Sequence, residues 1–376
     1  MAKRGKIRIG LVGVGNWGRY GHIPALRLLP EYEIVAVSSR SLEKATEIAR
    51  TFDIPHAYGQ MQQLVNDTEV DLVAVLSPAP EHAASVKAAI VAGKDVYCEW
   101  QLTTSTKDSE VLLLLARRSA VRHFVGFQRT VGASSLHLRD LLSAGYVGRL
   151  RSVRMHVSMA GFGPVRSESL DWTIPAKNFS HVLSIYGGHF MDMHFHAIGE
   201  PSRLTALVDT QFPELTLSTG QIFRNETPDA VMVMGTLQNG AMFQIQLEGG
   251  KHNQLGLQID ITGTDGDLQV INEKSFVTKH QDIIRGAQGG DGPWRELCTP
   301  DRFNFIPPSD LDVSVQDLAQ LYAAFARDRI DGVKTTRDFS DAVAMHHLID
   351  AVYQASSSGN SVFLKEHHDC DHSSNQ

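Results

Sequence analysis

Ile7-Arg8-Ile9-Gly10-Leu11-Val12-Gly13-Val14-Gly15-Asn16-Trp17-Gly18 is the stretch that decides the fold. Residues 7 to 12 form a short apolar run that reads as a buried strand, and the segment from Gly18 through Leu26 reads as a helix. Between them lies a GxGxxG turn in the strand-then-helix context that the pyrophosphate of a dinucleotide requires. Gly13 permits the tight turn, Gly15 lets backbone approach the phosphates, and Gly18 allows close packing of helix on strand, while the helix amino terminus attracts negative charge. Asn16 and Trp17, inside the turn, are expected to border the same ligand.

Outward from this turn the pattern repeats. The apolar runs YEIVAV (32–37), DLVAVL (71–76), DVYCE (95–99) and HFVGF (123–127) alternate with helical stretches that begin near Leu42, Glu81 and Asp108. Strands alternating with helices specify a parallel sheet covered on both faces. A further helix, SSLHLRDLLSAGYVG (134–148), leads to a different texture. From Leu150 the runs LRSVRMHVSM, AVMVMGTL, AMFQIQLEG and LGLQIDITG alternate with period two, with turn signals at Asn239-Gly240 and Asp265-Gly266. Helices are expected near 187–198, 313–327 and 339–356. The fold class is α/β plus α+β: a Rossmann domain over residues 1–130, a second α/β domain on a large open, mostly antiparallel sheet over 131–365, and a disordered polar tail over 366–376.

The 376 residues fit two domains, and 42% hydrophobic with 20% charged residues is a globular composition. No apolar run reaches the roughly 18 residues that cross a bilayer, so no membrane partner is expected. The basic opening MAKRGK runs into a glycine-punctuated strand, not a signal peptide. Three cysteines at unrelated spacings indicate neither a disulfide framework nor a zinc motif, and a reducing, cytoplasmic setting fits. A net charge of −7 without clustered lysine and arginine argues against nucleic acid as a direct partner.

The second strand ends in Ser38-Ser39-Arg40-Ser41, about twenty residues beyond Gly18, where an NAD-binding chain places an acid against the ribose 2′-hydroxyl. No acid stands there. Ser39 and Arg40 offer a hydroxyl and a guanidinium suited to a 2′-phosphate. The cofactor expected is NADP(H), with NAD(H) possible if Arg40 instead stacks over adenine.

The next two strand ends carry a resemblance. Ser77-Pro78-Ala79-Pro80-Glu81-His82 and Ala92-Gly93-Lys94-Asp95-Val96-Tyr97-Cys98-Glu99-Trp100-Gln101 resemble the TPNxxH and AGKxVxxEKP motifs of the glucose-fructose oxidoreductase and inositol dehydrogenase (Gfo/Idh/MocA) family. The likeness runs from the glycine turn to the final helix. It implies hydride transfer to or from sugars, cyclitols or related polyols, and a homodimer or homotetramer built through the C-terminal sheet. It also implies that Ser77, Pro78, His82, Lys94, Glu99 and Trp100 lie near the cofactor; Gln128 and Arg129, at the end of the fifth strand where ligands collect in open α/β sheets, are expected at the cofactor and the substrate respectively. One departure is serious: the family's catalytic lysine is Trp100 here, which cannot move a proton but can pack on a ring of cofactor or sugar. Glu-Trp in place of Glu-Lys also marks the branch that includes the galactose-pathway repressor, a non-catalytic binding protein.

In Gly187-Gly188-His189-Phe190-Met191-Asp192-Met193-His194-Phe195-His196, positions 189, 192 and 196 share one face of a helix. By resemblance Asp192 and His196 match the family's D-x-x-x-H pair. Hydride transfer at a carbinol carbon requires proton transfer at its oxygen, which an imidazole performs near neutral pH. The expectation is therefore His196 as acid/base, Asp192 as its orienting partner and His189 beside the substrate. Metal binding by these three is the alternative chemistry, although the family implies none. The alternative function is an NADP-binding sensor or transcriptional regulator without catalysis.

Overall fold

The computed structural model describes residues 5–253, 256–276, 278–290 and 292–364; the tail expected at 366–376 lies outside them. In the first part of the chain, β1 (Ile7–Val12), β2 (Tyr32–Ser38), β3 (His56–Tyr58), β4 (Leu72–Val75), β5 (Asp95–Cys98) and β6 (His123–Val125) form a parallel sheet in the order β3-β2-β1-β4-β5-β6. This is the expected doubly wound Rossmann arrangement. β3, three half-buried residues at the sheet edge, carries too little periodicity to be read in advance.

The connecting helices are α1 (Ile23–Leu28), α2 (Leu42–Thr51), α3 (Met61–Val65), α4 (His82–Val91) and α5 (Thr106–Ser119). Local chemistry starts two of them. Ser41 caps α2 by accepting the amide of Lys44, and Ser105 caps α5 through Asp108. A π-helical turn over Gly18–His22 precedes α1 and carries His22 into the buried interior. Then α6 (Ala133–Ser143) leads out of the first sheet.

The second sheet has nine strands among the described residues. They are β7 (Leu150–Ser158), β9 (Pro201–Asp209), β12 (Ala230–Leu237), β13 (Met242–Glu248), β14 (Leu257–Gly263), β15 (Gly266–Asn272), β16 (Ile283–Gln288), β17 (Arg295–Glu296) and β18 (Val362–Phe363), in the order β17-β16-β15-β14-β7-β13-β12-β9-β18. Only β7 and β13 run parallel, so the sheet is mixed and mostly antiparallel. A proline opens β9, a position that a strand tolerates only at its first residue, and this masks the strand in the sequence. Strands β8 (Val165–Arg166), β10 (Glu214–Leu217) and β11 (Ile222–Arg224) form a small satellite sheet.

One face of the large sheet is covered by α7 (Gly188–Ile198) and α9 (Phe339–Ser358), in one continuous core with residues of the parallel sheet. Helix α8 (Val313–Asp331), far along the chain, returns to the parallel sheet. Its Leu318, Tyr322 and Phe325 pack with Leu11, Tyr97 and Phe124 on the opposite face. An Asp338–Asp341 capping box starts α9, and Gly359 in the left-handed conformation ends it. These two late helices hold the cleft end of the first sheet against α7. No helix among the described residues is long and apolar enough to cross a membrane.

Candidate active site

Ligands in open α/β sheets collect beyond the carboxyl ends of the strands. At that edge several buried polar atoms are left unsatisfied. Ser77, Gln101 and Gln128 follow β4, β5 and β6; Ser77 Oγ, Gln101 Nε2 and Gln128 Oε1 are buried without a partner, and so is His189 Nδ1 on α7. Orphaned buried groups cost free energy unless a ligand or water completes them. The backbone at the same edge is open. Gly13 (φ +80°) lies so close to the loop after β4 that a side chain there would meet Ser77 at 2.7 Å, whereas a side chain at Gly15 would project into empty space. This cradle and its unpaired donors and acceptors fit a dinucleotide.

The remaining sequence-derived cofactor residues fall on this edge in different ways. Asn16 is exposed beside Gly15, and Trp17 is half-buried, edge-on to His22 at 6.0 Å between ring centroids. Gly18 packs close to Val14. Ser39 is half-buried and Arg40 exposed at the end of β2, where Arg40 donates to Glu81 at 3.0 Å. Pro78 is half-buried, and His82 is buried with its ring nitrogens 2.6 Å from the carbonyls of Ser77 and Gln101. His82 thus ties together the loops after β4 and β5. Lys94 lies elsewhere: its ammonium donates to the carbonyls of Asp67 and Val70, at the opposite edge of the sheet, which corrects the expected place near the cofactor.

Behind the edge runs a buried network centred on Glu99. His22 Nε2 lies 2.7 Å from its Oε1, Tyr97 donates to the same oxygen at 2.6 Å, and Tyr322 of α8 lies 2.9 Å from His22 Nδ1. Burial opposes ionisation of Glu99, but the hydrogen bonds from His22 and Tyr97 prevail and hold it below the ordinary carboxylate range. The π-helical turn that inserts His22 has no signature in the glycine motif, and Tyr322 comes from a helix about three hundred residues away in sequence.

Trp100 is 6% exposed; its indole N–H donates to the Ser184 carbonyl at 2.7 Å, and its rings pack on Phe127 and His346. It also presses on the start of α7 so closely that a side chain at Gly188 would lie 2.1 Å from its Nε1. The tryptophan therefore serves as packing between the two sheets' layers.

Helix α7 separates the three residues that its face was expected to unite. Asp192 is buried, its Oδ1 held by Arg337 (2.8 Å) and its Oδ2 by the Thr130 hydroxyl (2.5 Å). Burial pushes its carboxyl up to about 6 against the pull of Arg337. His196 Nε2 lies 2.8 Å from Arg139 Nη1, and burial together with Arg337 and Arg139 lowers its imidazole to about 3. In place of the expected Asp192–His196 pairing, Asp192 bonds Arg337 and Thr130 and His196 bonds Arg139, with the Arg337 charge felt by both. His189, seven residues earlier and so about 10 Å along the axis, is 6% exposed, packs on Phe127 and Phe276, and is held neutral, lowered to about 4 by burial and Arg129 against the opposing field of Glu99. The three side chains do not converge on a metal site; among the described residues no three His, Cys, Asp or Glu do. Arg129, expected at the substrate, is buried in an ion pair with Asp282 at 2.9 Å and lies over the ring of Phe190.

Comparison with known proteins agrees with this architecture. Residues 7–127 match the Gfo/Idh/MocA model, described as an oxidoreductase family with an NAD-binding Rossmann fold. The dehydrogenase aclE of Aspergillus oryzae is 32% identical over 256 residues, 63% of this chain and 68% of that protein. The chain belongs to the Gfo/Idh/MocA oxidoreductase family. Its C-terminal part is of a particular kind, since residues 134–272 match the Gal80p C-terminal domain. Accordingly, the galactose/lactose metabolism regulatory protein GAL80 of Saccharomyces cerevisiae is 23% identical over 95% of this chain and 94% of its own length. The fold is also that of levoglucosan dehydrogenase in complex with NADH and L-sorbose, with a TM-score of 0.84, 20% identity, and coverage of 96% of this chain and 99% of that one. This Gfo/Idh/MocA chain thus has both dehydrogenase and regulator relatives.

Proposed function

We propose that the protein is an NAD(P)-dependent oxidoreductase, with NADP(H) preferred and NAD(H) possible, acting on the hydroxyl or carbonyl of a sugar, cyclitol or related cyclic polyol. The observation that carries this reading is His189: a buried, neutral imidazole with Nδ1 unpartnered, in the electrostatic field of Glu99 at the carboxyl edge of the parallel sheet. A nicotinamide ring bound there supplies the hydride acceptor or donor. In the oxidative direction the substrate carbon loses hydride, its C–O bond becomes C=O, and the hydroxyl proton passes to His189. The ionised Glu99, bonded to His22 and Tyr97, favours the resulting imidazolium through its charge. In reduction the same proton returns to the carbonyl oxygen.

His189 takes this role here in preference to His196, whose Nε2 is engaged by Arg139, while Asp192 positions α7 through Arg337. Phe276, half-buried beside His189, offers an apolar ring to a ring-shaped substrate. The outer face of the large sheet exposes Leu207, Met232, Met234 and Met242, and the last two line an open hollow of about 670 Å³. An apolar surface of this kind supports a homodimer, or a homotetramer of two such pairs, and a monomer in sedimentation at assay concentration would remove that assignment.

A second reading has its own support. Trp100 offers no titratable group where the family's lysine would stand, and the C-terminal domain is of the Gal80p kind, so a cofactor-binding regulator without turnover is the competing class. A screen of monosaccharides, cyclitols and lactones, followed by the near-ultraviolet absorbance of reduced nicotinamide, separates the two. Turnover on any of them supports the enzyme. Tight cofactor binding with no turnover on any supports the regulator and overturns the enzyme reading.

A further inference from the structure

The acid that is missing at the end of β2 is supplied from elsewhere. Glu81, in the short turn between β4 and α4, places Oε1 3.0 Å from Arg40 Nη2, so the two loops that flank the glycine turn are bridged by one ion pair. Both groups face solvent, with side-chain exposures of 80% for Arg40 and 47% for Glu81. Glu81 is nevertheless well placed, because the next residue, His82, is buried between the Ser77 and Gln101 carbonyls and fixes the turn. A guanidinium and a carboxylate therefore meet at the mouth where the adenosine ribose of a dinucleotide lies in this fold.

We propose that Glu81 is a specificity-determining residue for the cofactor, acting against Arg40. A ribose 2′-hydroxyl is a donor, and the carboxylate of Glu81 accepts it, which favours NAD(H). A 2′-phosphate offers charged oxygens to the planar guanidinium and must draw Arg40 away from Glu81 while meeting the repulsion of that carboxylate. One mouth then accepts both dinucleotides, and Glu81 moderates the preference for the phosphorylated form that Arg40 alone would give. The inference rests on the proposed dinucleotide site and adds a residue that the sequence pattern, which looks for an acid at the end of β2, does not identify.

The test is the dissociation constant of NADPH and of NADH, measured by titration calorimetry for the wild type, Glu81→Gln, Arg40→Ala and the double variant. Both side chains are exposed, so folding is not at stake. Glu81→Gln is expected to tighten NADPH and weaken NADH, moving their ratio by roughly tenfold, the scale of one charge-assisted hydrogen bond gained or lost. Arg40→Ala is expected to weaken NADPH by about tenfold or more and to leave NADH within about twofold. In the wild type added salt should weaken NADPH more than NADH, as screening requires. If Glu81→Gln leaves the ratio unmoved, or changes both constants by the same factor, while Arg40→Ala still costs NADPH, the role of Glu81 is overturned and the cofactor site stands. If the wild type binds neither dinucleotide, the proposed function falls and this inference with it.

Discussion

The two ends of α7 carry the same kind of side chain in opposite states. At the amino-terminal end His189 is buried against phenylalanine rings with a nitrogen unpaired, close enough to Glu99 to feel its charge. Near the carboxyl-terminal end His196 is half-exposed and bound to Arg139, one turn past an Asp192 already claimed by Arg337 and Thr130. A satisfied polar group holds structure together; an unsatisfied one at the mouth of a sheet waits for a ligand. Under the proposed function, chemistry belongs to one end of the helix and cohesion to the other.

The largest effect that would break this division lies in turnover. With an identified substrate, His189→Ala is expected to lower kcat by about 10² to 10⁴, the range of a positioned acid/base, with cofactor affinity little changed. His196→Ala should stay within a few-fold of the wild type. Equal losses in the two variants would erase the distinction between the ends.

Stability sharpens the other half. Arg337→Met leaves the buried carboxyl of Asp192 without its counter-charge and should cost about 3 kcal/mol in urea unfolding, near the lower limit for breaking a buried pair because Arg337 is partly exposed. A loss below about 0.5 kcal/mol, the scale of an ordinary surface change, would deny α7 its structural anchor.

The smallest effect is pH dependence. Burial lowers His194 to about 3, as it lowers His181 and His346 to about 3 and His189 to about 4. Each binds its proton more weakly in the folded chain than in the unfolded one, whose imidazole titrates near about 6.5. Their stabilisation is thus complete above that pH and is lost as pH falls from about 6.5 through about 3, for His189 through about 4. Thermal unfolding should show Tm falling over this window, and His194→Leu should flatten the slope by at most about 1.4 kcal/mol per pH unit. A slope unchanged by that variant would mean that His194 is not held neutral by the fold.

Much of this was legible in the chain. The glycine turn, the strand ends at Ser39, Ser77 and Gln128, and the period-two runs of the second sheet each reflect a local requirement: a tight turn, a buried strand, a half-buried one. The partners of α7 were not legible. Arg337 and Arg139 lie 145 and 57 residues away from the groups they bind, and spacing along a helix says which side chains share a face but not what that face meets. Glu81 escaped notice for a related reason. It belongs to a different strand end from the one that the nucleotide motif inspects, and only the parallel order of β2, β1 and β4 brings the two loops together.

Sequence by itself determined the Rossmann sheet, its glycine cradle and the second sheet, because backbone conformation and hydrophobic period are set by neighbours in the chain. Tertiary structure alone decided which histidines keep an unpaired nitrogen, which carboxylate meets a counter-charge and which acid faces Arg40. Those outcomes depend on charges and hydrogen bonds between residues that meet only after the chain has folded, where burial sets the cost of every unmet partner.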